Sequence, residues 1–214
     1  MDSLKLQDRH YRALGAAARR VGETTDAFRP IDAVDPLNKN NRFLRLHASF
    51  FPVEGGSNHP SGYGMVQWQG IFDASYTRPG DYLVQKLRTF FIAAQQPLLP
   101  VLCVETNRII SVTRPHVQTT TASNPYGGYT DTGTSVLMEG WPASVLGLTG
   151  RGEPAAGLPT DQTIPYLVIL VPALHRIFLS PGDLVSDDIG RSAVITGSEL
   201  TALGWRLSAK MATT

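Results

Sequence analysis

Cysteine is almost absent: Cys103 stands alone in 214 residues, which rules out an internal disulfide and any thiolate cluster for a metal. Charge is sparse as well. Only 17% of residues are charged and the formal net charge is +1, a balance that argues against gripping nucleic acid over a broad basic face. The five histidines are His10, His47, His59, His116 and His175, and no pair has metal-ligand spacing such as H-x-x-x-H. Long apolar runs are missing. The longest, residues 166–173, is far short of the roughly 20 residues that a membrane-spanning helix needs. The opening MDSLKLQDRHYRALGAAARR has no apolar core of signal-peptide type. The expectation is a chain made in the cytosol, with no membrane contact.

Catalytic signatures are missing too. No G-x-S-x-G, P-loop or G-x-G-x-x-G occurs, and the Gly-rich strings YGGYTDTG and LTGRGEP do not join a strand to a helix N-terminus. Asp187 and Asp188 adjoin in turn-like text, and adjacent strand residues point to opposite faces, so they do not form a carboxylate pair. Cys103, in VLCV, reads as a small buried hydrophobe. The sequence nominates no catalytic residue, no cofactor and no metal site.

What the chain does have is turns and apolar matter. Gly 20 and Pro 15 mark many turns, and 42% hydrophobic residues suffice for a core. Spacings of three, four and seven predict one helix from Ser3 to about Val21, with Leu4, Tyr11, Leu14, Ala18 and Val21 on one face. Lys5, Arg9, Arg12, Arg19 and Arg20 lie mostly on the other side. Residues 23–61 read as an extended arm containing one alternating stretch, RFLRLHASF. Residues 62–118 read as a first β unit and 119–165 as a Gly/Thr/Pro-rich loop excursion. Residues 166–214 read as a second β unit closing the same core. The fold class expected is mainly β: antiparallel β-sandwich or small barrel units, one N-terminal α-helix and long extended arms.

The two β units resemble each other. Pro79-Gly80-Asp81-Tyr82-Leu83-Val84 matches Pro181-Gly182-Asp183-Leu184-Val185, and Arg88-Thr89-Phe90-Phe91-Ile92-Ala93 matches Arg191-Ser192-Ala193-Val194-Ile195-Thr196. The closing strands align as Arg108-Ile109-Ile110-Ser111-Val112 with Arg206-Leu207-Ser208-Ala209. Pro-Gly-Asp is turn chemistry, because proline presets φ and glycine accepts a positive φ.

On these residues, and on PLLPVLCVETNR, the chain resembles tailed-bacteriophage structural proteins of the head-to-tail connector or tail type (adaptor, stopper or tail-ring component). The resemblance covers 71–115 and 166–211. It implies a non-enzymatic virion protein of the phage neck or tail, forming a homo-oligomeric ring of about 6 or 12 copies. Portal or other tail proteins would be its partners, with DNA in passing contact. Leu4, Tyr11, Leu14, Arg12, Arg19, Tyr126 and Tyr129 are then the candidate subunit contacts. The rival reading is a receptor- or carbohydrate-binding β-sandwich of a tail fibre or cell-surface protein. It rests on Tyr63, Trp68, Phe72, Tyr76, Tyr126, Tyr129 and Trp141 beside polar loops, although alternation places Trp68, Phe72 and Trp205 in the core.

Overall fold

The computed structural model describes residues 3–53, 66–116, 133–148, 166–174 and 176–211. Among the described residues the protein is mainly β, with a single α-helix at the N-terminus. Its strands close into two six-stranded antiparallel barrels. The first contains β1 (Glu23–Phe28), β2 (Arg42–Pro52), β3 (Gln67–Ile71), β4 (Tyr82–Gln85), β5 (Arg88–Ala94) and β6 (Val101–Thr106). The second contains β7 (Arg108–Pro115), β8 (Thr134–Leu148), β9 (Tyr166–Val171), β10 (Leu184–Asp187), β11 (Ser192–Thr201) and β12 (Gly204–Met211). Only Asn107 separates them in sequence.

Both barrels have one topology. Around the first the order is β1-β2-β3-β6-β5-β4, and around the second β7-β8-β9-β12-β11-β10, which is the same order six strands later. Each is two three-stranded meanders clasped along two edges, so no strand edge is left open. The repetition reaches the irregularities. The pairing of β5 with β6 slips between Ile92 and Ala94, and that of β11 with β12 slips between Ile195 and Gly197.

Registers correct one alignment made from sequence. Ile92 pairs with Cys103 and Ile195 with Ala209, so the counterpart of β12 is β6, not the stretch that starts at Arg108. That stretch is β7, the opening strand of the second barrel. The turn and the strand after it correspond as the sequence suggests.

Two stretches depart from expectation for physical reasons. The arm expected over 23–61 holds β1 in addition to the strand read at RFLRLHASF, and the excursion expected over 119–165 contains the 15-residue β8. β1 carries no visible pattern because its inward residues are only Thr25 and Ala27, both buried. β8 is obscured by Gly140 and Pro142, although Met138, Trp141, Ala143 and Val145 are buried. RFLRLHASF is a strand as read: Leu44, Leu46 and Ala48 turn inward and Phe43, Arg45 and His47 outward.

The cores explain why β5 reads as an unbroken apolar run. Leu83, Phe90, Ile92, Val101 and Cys103 fill the first barrel with Phe72 and Ala48. From the opposite faces of the same strands, Tyr82, Phe91, Ala93 and Val104 join the second barrel's core, beside Trp141, Ile169 and Leu207. β5 is therefore covered on both faces, and both must be apolar. Residues of both β units thus meet in one apolar cluster, and at this seam the Tyr82 hydroxyl donates to the Pro142 carbonyl at 2.7 Å.

α1 (Ser3–Val21) lies against β2, β3 and the 3-10 turn Ala74–Tyr76. Small residues set its closest approach: Ala18 is buried, and a Cβ on Gly15 would stand 2.8 Å from the Asp73 Cβ, while Tyr11 packs against the first barrel's core. Arg19 and Arg20 in the last turn suit the negative end of the helix dipole. Val21, expected on the apolar face, is exposed. No helix among the described residues is long and apolar enough to cross a membrane.

Candidate interaction site

Just before β4 and β10 the chain builds the same buckle twice. Gly80 and Gly182 take φ of +94° and +95°, a conformation open to glycine, and this turns the following aspartate inward. Asp81 and Asp183 are buried, with side chains 1% and 2% exposed. A buried carboxylate must be paired and hydrogen-bonded, and both are. Arg29 Nε and Nη2 donate to Asp81 at 2.8 and 2.7 Å, and Arg114 Nε and Nη2 donate to Asp183 at 2.7 and 2.9 Å. A backbone amide adds a third donor in each case, Arg78 N at 2.9 Å and Ser180 N at 2.8 Å. The same Nη2 atoms reach the carbonyls of Tyr76 and Phe178. These bonds raise the pKa of both guanidiniums above the ordinary arginine value, chiefly through hydrogen bonding to the aspartates.

Sequence reasoning finds the Pro-Gly-Asp half of each buckle and misses the arginine half. A signal is present, because Arg29-Pro30 ends β1 and Arg114-Pro115 ends β7, at matching positions of the two barrels.

A strap runs from the first buckle onto the second barrel. The Ala33 carbonyl accepts from Trp141 Nε1 at 2.6 Å and from Glu139 N at 3.0 Å, and Asp35 N donates to the Glu139 carbonyl at 2.9 Å. Residues 29–41, within the expected arm, are thus engaged inside their own chain. Between strap, buckles and the loop before β10 lies a cleft of about 770 Å³. Its charged lining is Arg29, Arg78, Arg114, Arg176 and Asp32. Ile31, Val136 and Phe178 bring exposed apolar surface to the same cleft.

The four arginines are not equivalent. Arg29 and Arg114 are tied to their aspartates, and Arg78 Nε lies 3.8 Å from Asp81. Arg176 is exposed and has no carboxylate partner among the described residues. Four arginines against Asp32, Asp81 and Asp183 leave one positive charge at the mouth. Arginine beside exposed aromatic and aliphatic side chains is the composition of a protein-binding surface.

The contact residues nominated from sequence are scattered. Tyr11 is half-buried against the first barrel's core, so its contact lies within the chain. Leu14 is half-buried on the same helix, and Arg12 and Arg19 are exposed, Arg12 bonded to Asp8 at 2.7 Å. Leu4 falls in the helix, but its side chain lies outside the described residues, as do Tyr126 and Tyr129 altogether. Of the aromatics considered for stacking on sugar, Tyr63 is also undescribed, Phe72 and Trp141 are buried, and Arg88 covers the Trp68 ring at 4.4 Å. Tyr76 is exposed.

Cys103 is fully buried and its thiol pKa is pushed up by desolvation. No group of three or more potential metal ligands occurs among the described residues. Compared with family models, curated proteins and solved structures, the chain matches none.

Proposed function

We propose that this chain is a non-enzymatic structural subunit of a tailed-phage neck or tail, one copy in a ring that joins neighbouring components and lets DNA pass. The observation that carries the reading is the placement of exposed apolar side chains at both ends of a double barrel. The one-residue link at Asn107 joins the ends where the β4–β5 and β10–β11 hairpins turn. At that end Leu87, Ile109 and Ile189 are exposed. At the other end Ile31, Val136 and Phe178 are exposed around the cleft. Exposed apolar surface of this kind marks protein contacts. Two different sticky ends on one body suit heterologous association, which closes into rings. A seam packed with Tyr82, Phe91 and Trp141 holds the two ends in fixed relation.

The test is quantitative mass spectrometry of purified particles from a strain carrying the gene, as copies relative to the portal protein. A ratio near one, or near one half, is expected for a neck or tail ring. Copies in the hundreds would place the chain on the capsid surface instead, and absence from particles would overturn the virion reading.

A further inference from the structure

Resting on that reading, we propose that the arginine-lined cleft of one copy receives the β10–β11 hairpin tip of the next. The tip is built to project two side chains. Asp187 organises it from within, accepting from Ile189 N at 3.2 Å, from Arg191 N at 2.8 Å and from Arg191 Nε at 2.7 Å. Gly190, at φ +81°, completes the turn, and Asp188 N is anchored to the Ile109 carbonyl at 3.0 Å. Asp188 and Ile189 are left exposed, and the Asp188 carboxylate has no cationic partner among the described residues.

Carboxylate and aliphatic side chain match what the cleft offers. Arg176 has no carboxylate partner of its own among the described residues, and Ile31, Val136 and Phe178 supply exposed apolar surface around it. A tip cannot enter the cleft of its own chain. The buckle at Asp183 precedes β10 and the tip follows it, so a strand of four residues, about 13 Å, separates the two ends. Docking must be intermolecular. Because cleft and tip are different surfaces, the contact is head to tail, with Asp188 meeting Arg176 and Ile189 lying against Phe178.

Charge reversal tests this without touching a core. Arg176→Asp and Asp188→Arg both alter exposed side chains, and each alone is expected to weaken self-association at least about tenfold in sedimentation velocity of the full chain. Mixing the two variants sets the arginine-bearing tip of one against the aspartate-bearing cleft of the other. The unaltered tip likewise meets the unaltered cleft, so assembly returns. A wild type that stays monomeric at about 100 µM, variants that associate as the wild type does, or a mixture that fails to recover would each overturn the contact. Particle incorporation separates this contact from the virion reading. Wild type present in particles with Asp188→Arg incorporated unchanged would refute the contact alone. Wild type that assembles through this contact yet is absent from particles would refute the virion reading alone.

Discussion

The two barrels share strand order, bulge and buckle, yet matched positions carry different chemistry. On the outer face of the β4–β6 meander stand Tyr82, Phe91 and Val104, all buried in the seam. The registers place Leu184, Val194 and Lys210 at the same points of the second barrel, where the first is exposed and the others half-buried. One meander has become an internal interface and its twin has remained a surface. The interiors differ too. The first barrel holds a ring cluster, with Phe50 stacked on Phe90 at 3.9 Å between centroids and Trp68 set edgewise to Phe90. It also encloses a polar side chain: Gln85 is buried, donating to the Ala48 carbonyl at 3.0 Å and to Thr25 at 3.4 Å. The second is filled mainly with Ile, Leu, Val and Ala. The fold therefore tolerates either filling, and what it keeps in both copies is the Arg–Asp buckle and the glycine turn.

Trp205 and Leu99 occupy matched positions on β12 and just before β6. Trp205 is buried and Leu99 exposed. Trp205→Ala should cost about 3–5 kcal/mol in denaturant unfolding, whereas Leu99→Ala should stay within about 0.5 kcal/mol. Similar costs would mean that the registers relating β6 to β12 are wrong.

Next in size is the buckle. Arg114→Ala leaves Asp183 buried without its guanidinium, for a loss of about 3–5 kcal/mol. Arg29→Ala should cost less, because Arg78 already lies 3.8 Å from Asp81 and can take up part of its charge. Unfolding midpoints of the two variants, with Arg29→Ala also made in an Arg78→Ala background, check this. An Arg29→Ala loss equal to that of Arg114→Ala would show that Arg78 compensates nothing.

How much of this is legible in the sequence follows from how much each position declares. Pro-Gly-Asp declares itself twice, because turn geometry restricts residue choice to a few types. The strands of 67–115 and 166–211 announce themselves through apolar runs, but the limits of each barrel do not. Thr25 and Ala27 are inward yet too small and too polar to show a pattern, so a strand reads as an arm. Arg29 and Arg114 are invisible as partners because the residues they neutralise lie 52 and 69 positions away. A cleft assembled from the strap, β8 and the loop before β10 has no linear signature at all.

Two carboxylates are held below their ordinary 3.8, with modest consequences for stability. For Asp26 the chief cause is the side-chain hydrogen bond from Arg45, aided by the charges of Arg45 and Arg42. For Asp187 desolvation works upward but is outweighed by the bonds and charge of Arg191 and the Ile189 amide. A carboxylate with a depressed folded-state pKa stabilises the fold above its unfolded pKa, and that contribution disappears as pH falls through the folded value. Both therefore add stability at neutral pH that is lost below about pH 4. They should not add equally. Asp26 and Arg45 are solvent-screened, the arginine side chain being 62% exposed, while the Asp187 side chain is 5% exposed and braced by two backbone amides. Urea midpoints at about pH 5 and pH 3 should show Asp187→Asn flattening the acid loss more than Asp26→Asn does, the latter changing stability by about 1 kcal/mol or less. Were Asp26→Asn to flatten it more, the exposed pair on β1 and β2 would be the stronger of the two. The hairpin tip of the second barrel would then lack the rigidity that docking requires.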